Sequence, residues 1–154
     1  MSAMFDEALE GGCVCGAVRY TLSPGFRIGP YACHCTRCQT RTDSAFAEHM
    51  MVARSALVAT GAAACGTLTN PSGARITLWG CTGCGTSLWG ENSTRPGSAT
   101  VRCGSLDRSA ELVPVGHIWV SSKQPWIALP PGAKALAEQP RSPDEWVREL
   151  GQAA

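Results

Sequence analysis

Apolar and polar residues alternate over several short stretches of the chain, with the period of two that is typical of strands buried on one face. In the segment AVRYTL, Val18, Tyr20 and Leu22 fall on one face and the polar residues on the other. The segment ARITLW repeats the pattern, with Ile76 and Leu78 on its apolar face. The pattern predicts strands over residues 17–22, 74–79, 99–103 and 117–120, whereas residues 44–52 fit either a strand or a helix.

The clearest helix signal lies near the C-terminus, in the segment RSPDEWVREL. Ser142 has the hydroxyl of an N-cap residue, a proline follows at the first helical position, and a glutamate lies three residues after the cap. Trp146, Val147 and Leu150 then form an apolar face, and a glycine ends the pattern. These signals predict a helix over residues 143–150.

Together these elements indicate an all-β or β-rich fold of short antiparallel sheets with one C-terminal helix. The chain has 154 residues, a length that suits one domain, so we interpret residues 1–154 as a single domain. A chain of this size buries about 70% of the surface of its unfolded state, which allows a sizeable core.

The charge balance gives no indication of a nucleic-acid partner, because 13 basic residues face 12 acidic ones and no basic run is present. The N-terminal segment lacks the basic and apolar regions of a signal peptide. No apolar run approaches the roughly 20 residues of a membrane-spanning helix. We therefore expect a cytoplasmic protein without a membrane partner, and the sequence does not indicate its oligomeric state.

Nine cysteines change this picture. The cytosol keeps thiols reduced, so clustered cysteines there indicate metal ligands or catalytic groups before disulfides. Two of the nine, Cys65 and Cys103, stand alone. The other seven form the motifs GGCVCG (Cys13 and Cys15), CHCTRC (Cys33, Cys35 and Cys38) and CTGC (Cys81 and Cys84).

Four of these cysteines form a closed set for a tetrahedral zinc ion, since CxxC is a common half-site and four ligands complete a structural site. Glycines follow Cys15 and Cys84 and allow the tight backbone that such turns need. Independent buried thiols and an iron–sulfur cluster are the alternatives. A thioredoxin-like redox pair would need a βαβ context, which the pattern does not predict. The four residues are Cys13, Cys15, Cys81 and Cys84.

The CHCTRC motif supplies three thiols, Cys33, Cys35 and Cys38, without an obvious fourth donor. Three protein ligands and an open position are typical of a catalytic zinc, whose vacant position accepts water or a substrate thiol. The alternative is a second structural zinc with a fourth protein ligand. The candidates for that ligand are His34, His49, Cys65 and Cys103.

The order of the motifs resembles the glutathione-dependent formaldehyde-activating enzyme family, which includes the centromere protein V domain. The resemblance covers about residues 11–128 and is carried by GGCVCGAVRY, CHCTRCQTRTDSAF, SGARITLWGCTGCGTSLW, CGSLD and GHIWVSSKQPW. It implies a β-tent fold of stacked antiparallel sheets. It also implies two Zn²⁺ ions, a structural one held by Cys13, Cys15, Cys81 and Cys84 and a catalytic one held by Cys33, Cys35 and Cys38.

The activity implied by this resemblance is that of a carbon–sulfur lyase acting on glutathione, or another small thiol, and a small aldehyde such as formaldehyde. The product would be S-hydroxymethylglutathione. His34, Arg37 and His117 are candidates for proton transfer or anion binding, although a structural role is commoner for each. Trp119 and Trp126 are candidates for lining a pocket. Two other functions remain open: a zinc-stabilised protein-binding module, and a thiol or metal sensor without catalysis.

Overall fold

The computed structural model of the chain describes residues 6–151, so the two ends of the predicted domain, residues 1–5 and 152–154, lie outside the described residues. Within residues 6–151, ten strands and two α-helices are joined by turns and short 3-10 helices. Neither helix in this range has the length and apolar character needed to cross a membrane. The elements are β1 (Leu9–Gly12), β2 (Arg19–Leu22), β3 (Ile28–Cys33), α1 (Thr36–Thr42), β4 (Ala47–Ala53), β5 (Leu57–Thr60), β6 (Ala63–Thr69), β7 (Arg75–Cys81), β8 (Ser87–Asn92), β9 (Ser98–Arg102), β10 (Gly116–Ile118) and α2 (Pro143–Leu150).

The strands form two sheets. A small sheet has the order β1-β2-β5, and a large sheet has the order β10-β3-β4-β9-β8-β7-β6. All pairings are antiparallel except that of β10 with β3, which is parallel. The predicted β-rich class with a C-terminal helix is therefore confirmed, with one parallel pair that the sequence pattern did not indicate.

The segment over residues 44–52, which fitted both a strand and a helix, contains most of strand β4. β4 lies inside the large sheet, between β3 and β9. Both of its faces are covered, and four consecutive residues from His49 to Val52 are buried. A strand covered on both faces lacks alternation, which explains why its sequence was ambiguous.

The two faces of the large sheet belong to different parts of the core. Met50 and Val101 lie on the face that packs against the small sheet, in the same buried cluster as Tyr20. The opposite face packs against α2, where Tyr31 and Trp146 contact each other with ring centroids 5.3 Å apart. Of the two cysteine clusters described below, the one formed by Cys33, Cys35 and Cys38 lies on this second face.

Helix α2 begins and ends as predicted, with the Ser142 hydroxyl accepting a hydrogen bond from the Glu145 amide at 3.2 Å. Trp146 and Leu150 are buried against the sheet, but Val147 is 46% exposed. The expectation that Val147 shares their face is therefore wrong. Residues four apart in a helix lie on one face, whereas the next residue along is turned by about 100°.

Helix α1 was not predicted, because seven residues are too few to display a helical hydrophobic period. Its N-cap is Cys35, whose sulfur accepts a hydrogen bond from the Cys38 amide at 3.3 Å. Asp43 ends the helix in the left-handed conformation, at φ +52°. The CxxC spacing of this motif is thus built into the first turn of a short helix.

Candidate metal centres

The first cluster consists of Cys13, Cys15, Cys81 and Cys84, whose sulfur atoms all lie within 4.8 Å of one another. The Sγ atom of Cys15 is 3.5 Å from that of Cys13 and 3.8 Å from that of Cys81. A tetrahedral zinc site with Zn–S bonds of about 2.3 Å has sulfur–sulfur edges of about 3.8 Å. The four sulfurs therefore fit a tetrahedral zinc ion.

Two similar turns shape this cluster. The amides of Gly16 and Gly85 donate to the carbonyl oxygens of Cys13 and Cys81 at 3.1 and 3.0 Å, and both glycines have positive φ. The positive φ is the reason for glycine after the second cysteine of each motif. Further backbone amides donate to the sulfurs of Cys13 and Cys81, and the hydrogen bond from the Val18 amide is the main cause that lowers the pKa of Cys13.

Cys84, the exposed cysteine of the second turn, has a lowered pKa. The Sγ atom of Cys84 lies 3.0 Å from the Thr86 hydroxyl, and this hydrogen bond is the main cause that lowers the pKa of Cys84 to about 5. The lowered pKa favours the thiolate form of Cys84, which is the form that binds a metal.

The loop between β5 and β6 holds the two cysteine turns together. The carbonyl oxygen of Ala62 accepts hydrogen bonds from the Thr82 amide and hydroxyl at 3.1 and 3.0 Å, in the second turn. Gly61 packs so closely on the first turn that a Cβ atom there would overlap the carbonyl oxygen of Ala17. The spacing between the cysteine pairs therefore depends on this contact.

We expect the substitution Gly61→Ala to lower both the stability and the zinc affinity of the first cluster. Gly61 has φ +96°, so alanine adds backbone strain as well as the overlap with Ala17. The expected loss is about 2–4 kcal/mol of unfolding free energy, measured by urea denaturation, with zinc affinity measured by competition against a chromophoric chelator.

The matched control is Gly73→Ala, because Gly73 also has positive φ, at +86°, but has open space around it. This variant carries the backbone strain alone, about 1–2 kcal/mol, and should keep normal zinc affinity. Equal zinc affinity of the two variants would show that the contact between Gly61 and Ala17 does not hold the cluster together.

The second cluster consists of Cys33, Cys35 and Cys38, whose sulfurs also lie within 4.8 Å of one another. Cys33 ends β3, Cys35 caps α1, and Cys38 lies in the first turn of that helix. Two of the three sulfur-bearing residues are buried and Cys35 is partly exposed. This cluster can therefore offer three thiolates to one ion from a partly accessible site.

None of the proposed fourth ligands joins this cluster within residues 6–151. His49 comes nearest, with Nε2 3.6 Å from the Cys38 sulfur, yet its ring nitrogens are not within 4.8 Å of all three sulfurs. Cys65 is exposed on β6, and Cys103 is buried in the core beside the small sheet. His34 pairs with a different histidine. The arrangement is that of three donors with an open side.

The three thiols of the second cluster influence one another's ionisation. Hydrogen bonds from Cys33 and Cys35 lower the pKa of Cys38, and hydrogen bonding to Cys35 and Cys38 raises the pKa of Cys33. The Nη2 atom of Arg41 also lies 3.4 Å from the Cys38 sulfur, within reach to donate. Loading a metal here requires all three thiolates, so it releases protons and is favoured by higher pH.

Beside the second cluster runs a row of three polar residues, Tyr31, His49 and Arg102, which are direct cross-strand neighbours on β3, β4 and β9. The Tyr31 and His49 ring centroids are 5.6 Å apart, and the Nη1 atom of Arg102 is 3.3 Å from Nε2 of His49. Tyr31 lies two residues before Cys33, so both share one face of the sheet. The two-residue spacing between Tyr31 and Cys33 would have placed Tyr31 beside the cluster from the sequence alone, but the prediction did not include it.

The second cluster opens into a cavity of about 140 Å³. Its lining includes the three cysteines, the polar row and, among others, Arg37, Arg41, Arg95, Trp119 and Trp146. The cavity joins a group of thiols to several guanidinium groups. It can therefore receive a ligand that carries both a metal-binding atom and negative charge.

Of the candidates for proton transfer or anion binding, only Arg37 lines this cavity. His34 and His117 are buried against each other, with Nε2 of the first 3.0 Å from Nδ1 of the second. Trp119 lines the cavity, whereas Trp126 is not part of the lining and is 72% exposed. The two histidines belong to the core rather than to the cavity.

A scan against protein-family models matches residues 8–122 to the model described as "Glutathione-dependent formaldehyde-activating enzyme". None of the curated proteins matches the sequence significantly. Among solved structures, a crystal structure of a Rhodobacter sphaeroides protein is similar, with 21% sequence identity and a TM-score of 0.47. The match covers 82% of this chain and 98% of that chain.

Proposed function

Because the chain belongs to the glutathione-dependent formaldehyde-activating enzyme family, we propose that it catalyses the addition of glutathione to formaldehyde, which gives S-hydroxymethylglutathione. The observation that carries this proposal is the second cluster, three thiols facing a cavity without a fourth donor within residues 6–151. Such a site has room for a thiol from outside the protein.

We infer that the two clusters have different roles. The first cluster has four donors and no vacant position, so its zinc would be structural, held by Cys13, Cys15, Cys81 and Cys84. The second would hold the catalytic zinc through Cys33, Cys35 and Cys38. A zinc ion bound there supplies one chemical effect, the stabilisation of a coordinated thiol as its thiolate.

The reaction forms one carbon–sulfur bond between the thiol sulfur and the carbonyl carbon. The carbonyl π bond breaks, and the proton lost by the thiol ends on the new hydroxyl oxygen, so no oxidant or reductant is needed. The task of the protein side chains is therefore to position the thiol and to stabilise the oxygen on which negative charge develops.

Tyr31 is the best placed side chain for that oxygen. It lines the cavity beside the cluster, and its hydroxyl makes no hydrogen bond to another residue within the described range. Burial raises the pKa of Tyr31, so its hydroxyl keeps its proton at neutral pH and can donate a hydrogen bond. Burial also lowers the pKa of the adjacent His49, so its ring stays neutral.

The proposal is tested by following ¹³C-formaldehyde in the presence of glutathione by exchange NMR. Free formaldehyde and the S-hydroxymethyl carbon interconvert without a catalyst, so the measured quantity is the increase in exchange rate caused by the protein. The zinc-loaded protein should increase this rate in proportion to its concentration, and the metal-free protein should not. An unchanged rate with two zinc ions bound per chain would refute the proposed activity.

A further inference from the structure

The large sheet has an open edge at β6, which pairs with β7 along all of its residues, Ala63–Thr69. No strand within residues 6–151 pairs with the outer side of β6. Four consecutive residues, 64–67, are exposed. Since successive side chains point to opposite faces of a strand, both faces of β6 are open to solvent there. β6 therefore presents a row of accessible backbone amides and carbonyls to which another strand can bind.

The other sheet edges are covered or shorter. β10, at the opposite edge of the large sheet, has three residues, and an extended segment lies along it. The His117 amide donates to the Lys134 carbonyl, and the Leu136 amide donates to the His117 carbonyl, both at 2.8 Å. In the small sheet, the Asp107 amide donates to the Glu10 carbonyl of β1 at 2.9 Å, and β5 has four residues. Among the described residues, β6 is thus the longest sheet edge without a cover.

Hydrogen bonds at the two ends of the β6–β7 pair show which backbone groups point outward. The Thr82 amide donates to the Ala62 carbonyl at 3.1 Å, and the Asn70 amide donates to the Ala74 carbonyl at 2.8 Å. In an antiparallel strand, the amide and carbonyl of one residue point to one side and those of the next residue to the other. The even-numbered residues of β6 therefore bond to β7. The outward-facing residues are Ala63, Cys65, Thr67 and Thr69.

The sequence of β6, AACGTLT, has neither a charged residue nor a proline. Its register with β7 runs without the irregularity seen between β7 and β8. Charges, prolines and bulges are the devices by which edge strands avoid pairing with other molecules. Because β6 is neutral, a second copy of it meets no like-charge repulsion there, and a charged peptide gains no attraction. A second copy of the chain is therefore the partner that this edge fits.

We propose that β6 pairs with β6 of a second copy of the chain, antiparallel about a two-fold axis at Gly66, so that the two large sheets join into one. Two-fold dimers are the commonest symmetric assemblies of soluble proteins. In this register Cys65 of each copy lies opposite Thr67 of the other, and Ala63 of each copy lies opposite Thr69 of the other. All the outward-facing residues of both strands then exchange hydrogen bonds in pairs. Other symmetric registers pair fewer of them.

Gly66 lies at the centre of this contact. Its own amide and carbonyl face β7, so it would meet its symmetry mate as a pair without hydrogen bonds, in which the Cα atoms approach to about 4.5 Å. Its φ lies outside the left-handed region, and a Cβ atom at this position would meet nothing within 4 Å. The monomer therefore accepts a side chain at residue 66, and a substitution there reports on the contact between copies.

The test is sedimentation velocity of the zinc-loaded protein over a series of concentrations, in a reducing buffer that prevents disulfides through exposed cysteines such as Cys65. We expect an equilibrium between monomer and dimer. Gly66→Glu places two carboxylates opposite each other at the axis, so it should weaken dimerisation by about tenfold or more. Gly66→Thr is the matched control, because threonine is neutral and favours strands. The control should dimerise at least as well as the wild type, and circular dichroism verifies that both variants fold.

Amide hydrogen exchange, measured by NMR at low and high protein concentration, locates the contact. The amides of Cys65 and Thr67 point outward, so they should exchange quickly in the monomer and slowly in the dimer. The amides of Gly66 and Leu68 bond to β7 and should be protected at both concentrations.

Three results would each overturn the inference. They are a wild-type chain that stays monomeric up to millimolar concentration, equal dimerisation of the Gly66→Glu and Gly66→Thr variants, and a dimer without protection of the Cys65 and Thr67 amides. Neither measurement involves glutathione or formaldehyde, so the inference is tested separately from the proposed function.

Discussion

Cys84→Ser is expected to leave the chain largely unfolded and short of one zinc ion. The first cluster joins the loop between β1 and β2 of the small sheet to the loop between β7 and β8 of the large sheet. Structural zinc contributes about 10–16 kcal/mol of apparent binding free energy in small metal-stabilised domains. The net stability of a domain is only about 5–15 kcal/mol. Losing one of the four thiolates should therefore abolish most of the folded population.

Circular dichroism and elemental analysis of the purified variant measure this effect. Cys65→Ser is the matched control, because Cys65 is an exposed cysteine on β6 that belongs to neither cluster. The control should retain its fold and two zinc ions per chain. A Cys84→Ser variant that melts at the wild-type temperature would mean that the first cluster does not stabilise the fold.

Cys35→Ser is expected to have the opposite profile, a folded protein without activity. The sulfur of Cys35 caps α1 by accepting from the Cys38 amide, and serine is a strongly preferred N-cap residue, so the helix should keep its cap. A serine hydroxyl is a poor replacement for a thiolate on zinc, so the second cluster should lose its metal. The catalysed formaldehyde exchange should fall by at least about 100-fold.

The test measures the zinc stoichiometry, the melting temperature and the formaldehyde exchange rate of the Cys35→Ser variant on one preparation. We expect one zinc ion per chain, a melting temperature within a few degrees of the wild type, and an exchange rate at the uncatalysed level. Unfolding would assign a structural role to the second cluster. Wild-type exchange by the variant would show that the reaction does not use this cluster.

Much of the fold could be predicted from local sequence patterns. In β2, Tyr20 and Leu22 are buried while Arg19 and Thr21 are exposed, as the alternation indicated. Helix α2 could be predicted because its cap and its end carry residue types with a direct physical role. The pairing of β10 with β3 could not, since it depends on strands that are distant in the chain.

The cysteine spacings predicted which sulfurs lie together, and the structure places both sets as expected. That they bind zinc, and that the second set is catalytic, remain predictions. The polar row beside the second cluster was missed, because His49 and Arg102 are 53 positions apart and meet only through the register of β4 with β9. His34 was a candidate by its place in the motif. As the neighbour of Cys33 at the end of a strand, it is directed elsewhere and pairs with His117.

The most direct test of the account is a crystal structure of the zinc-loaded protein soaked with glutathione, with both ions located from anomalous scattering. We predict one ion bound by Cys13, Cys15, Cys81 and Cys84. The second ion should have three protein sulfurs from residues 33–38 and the glutathione sulfur as its fourth donor. A chain without zinc, or a second ion whose fourth donor is a protein group such as His49, would contradict the account.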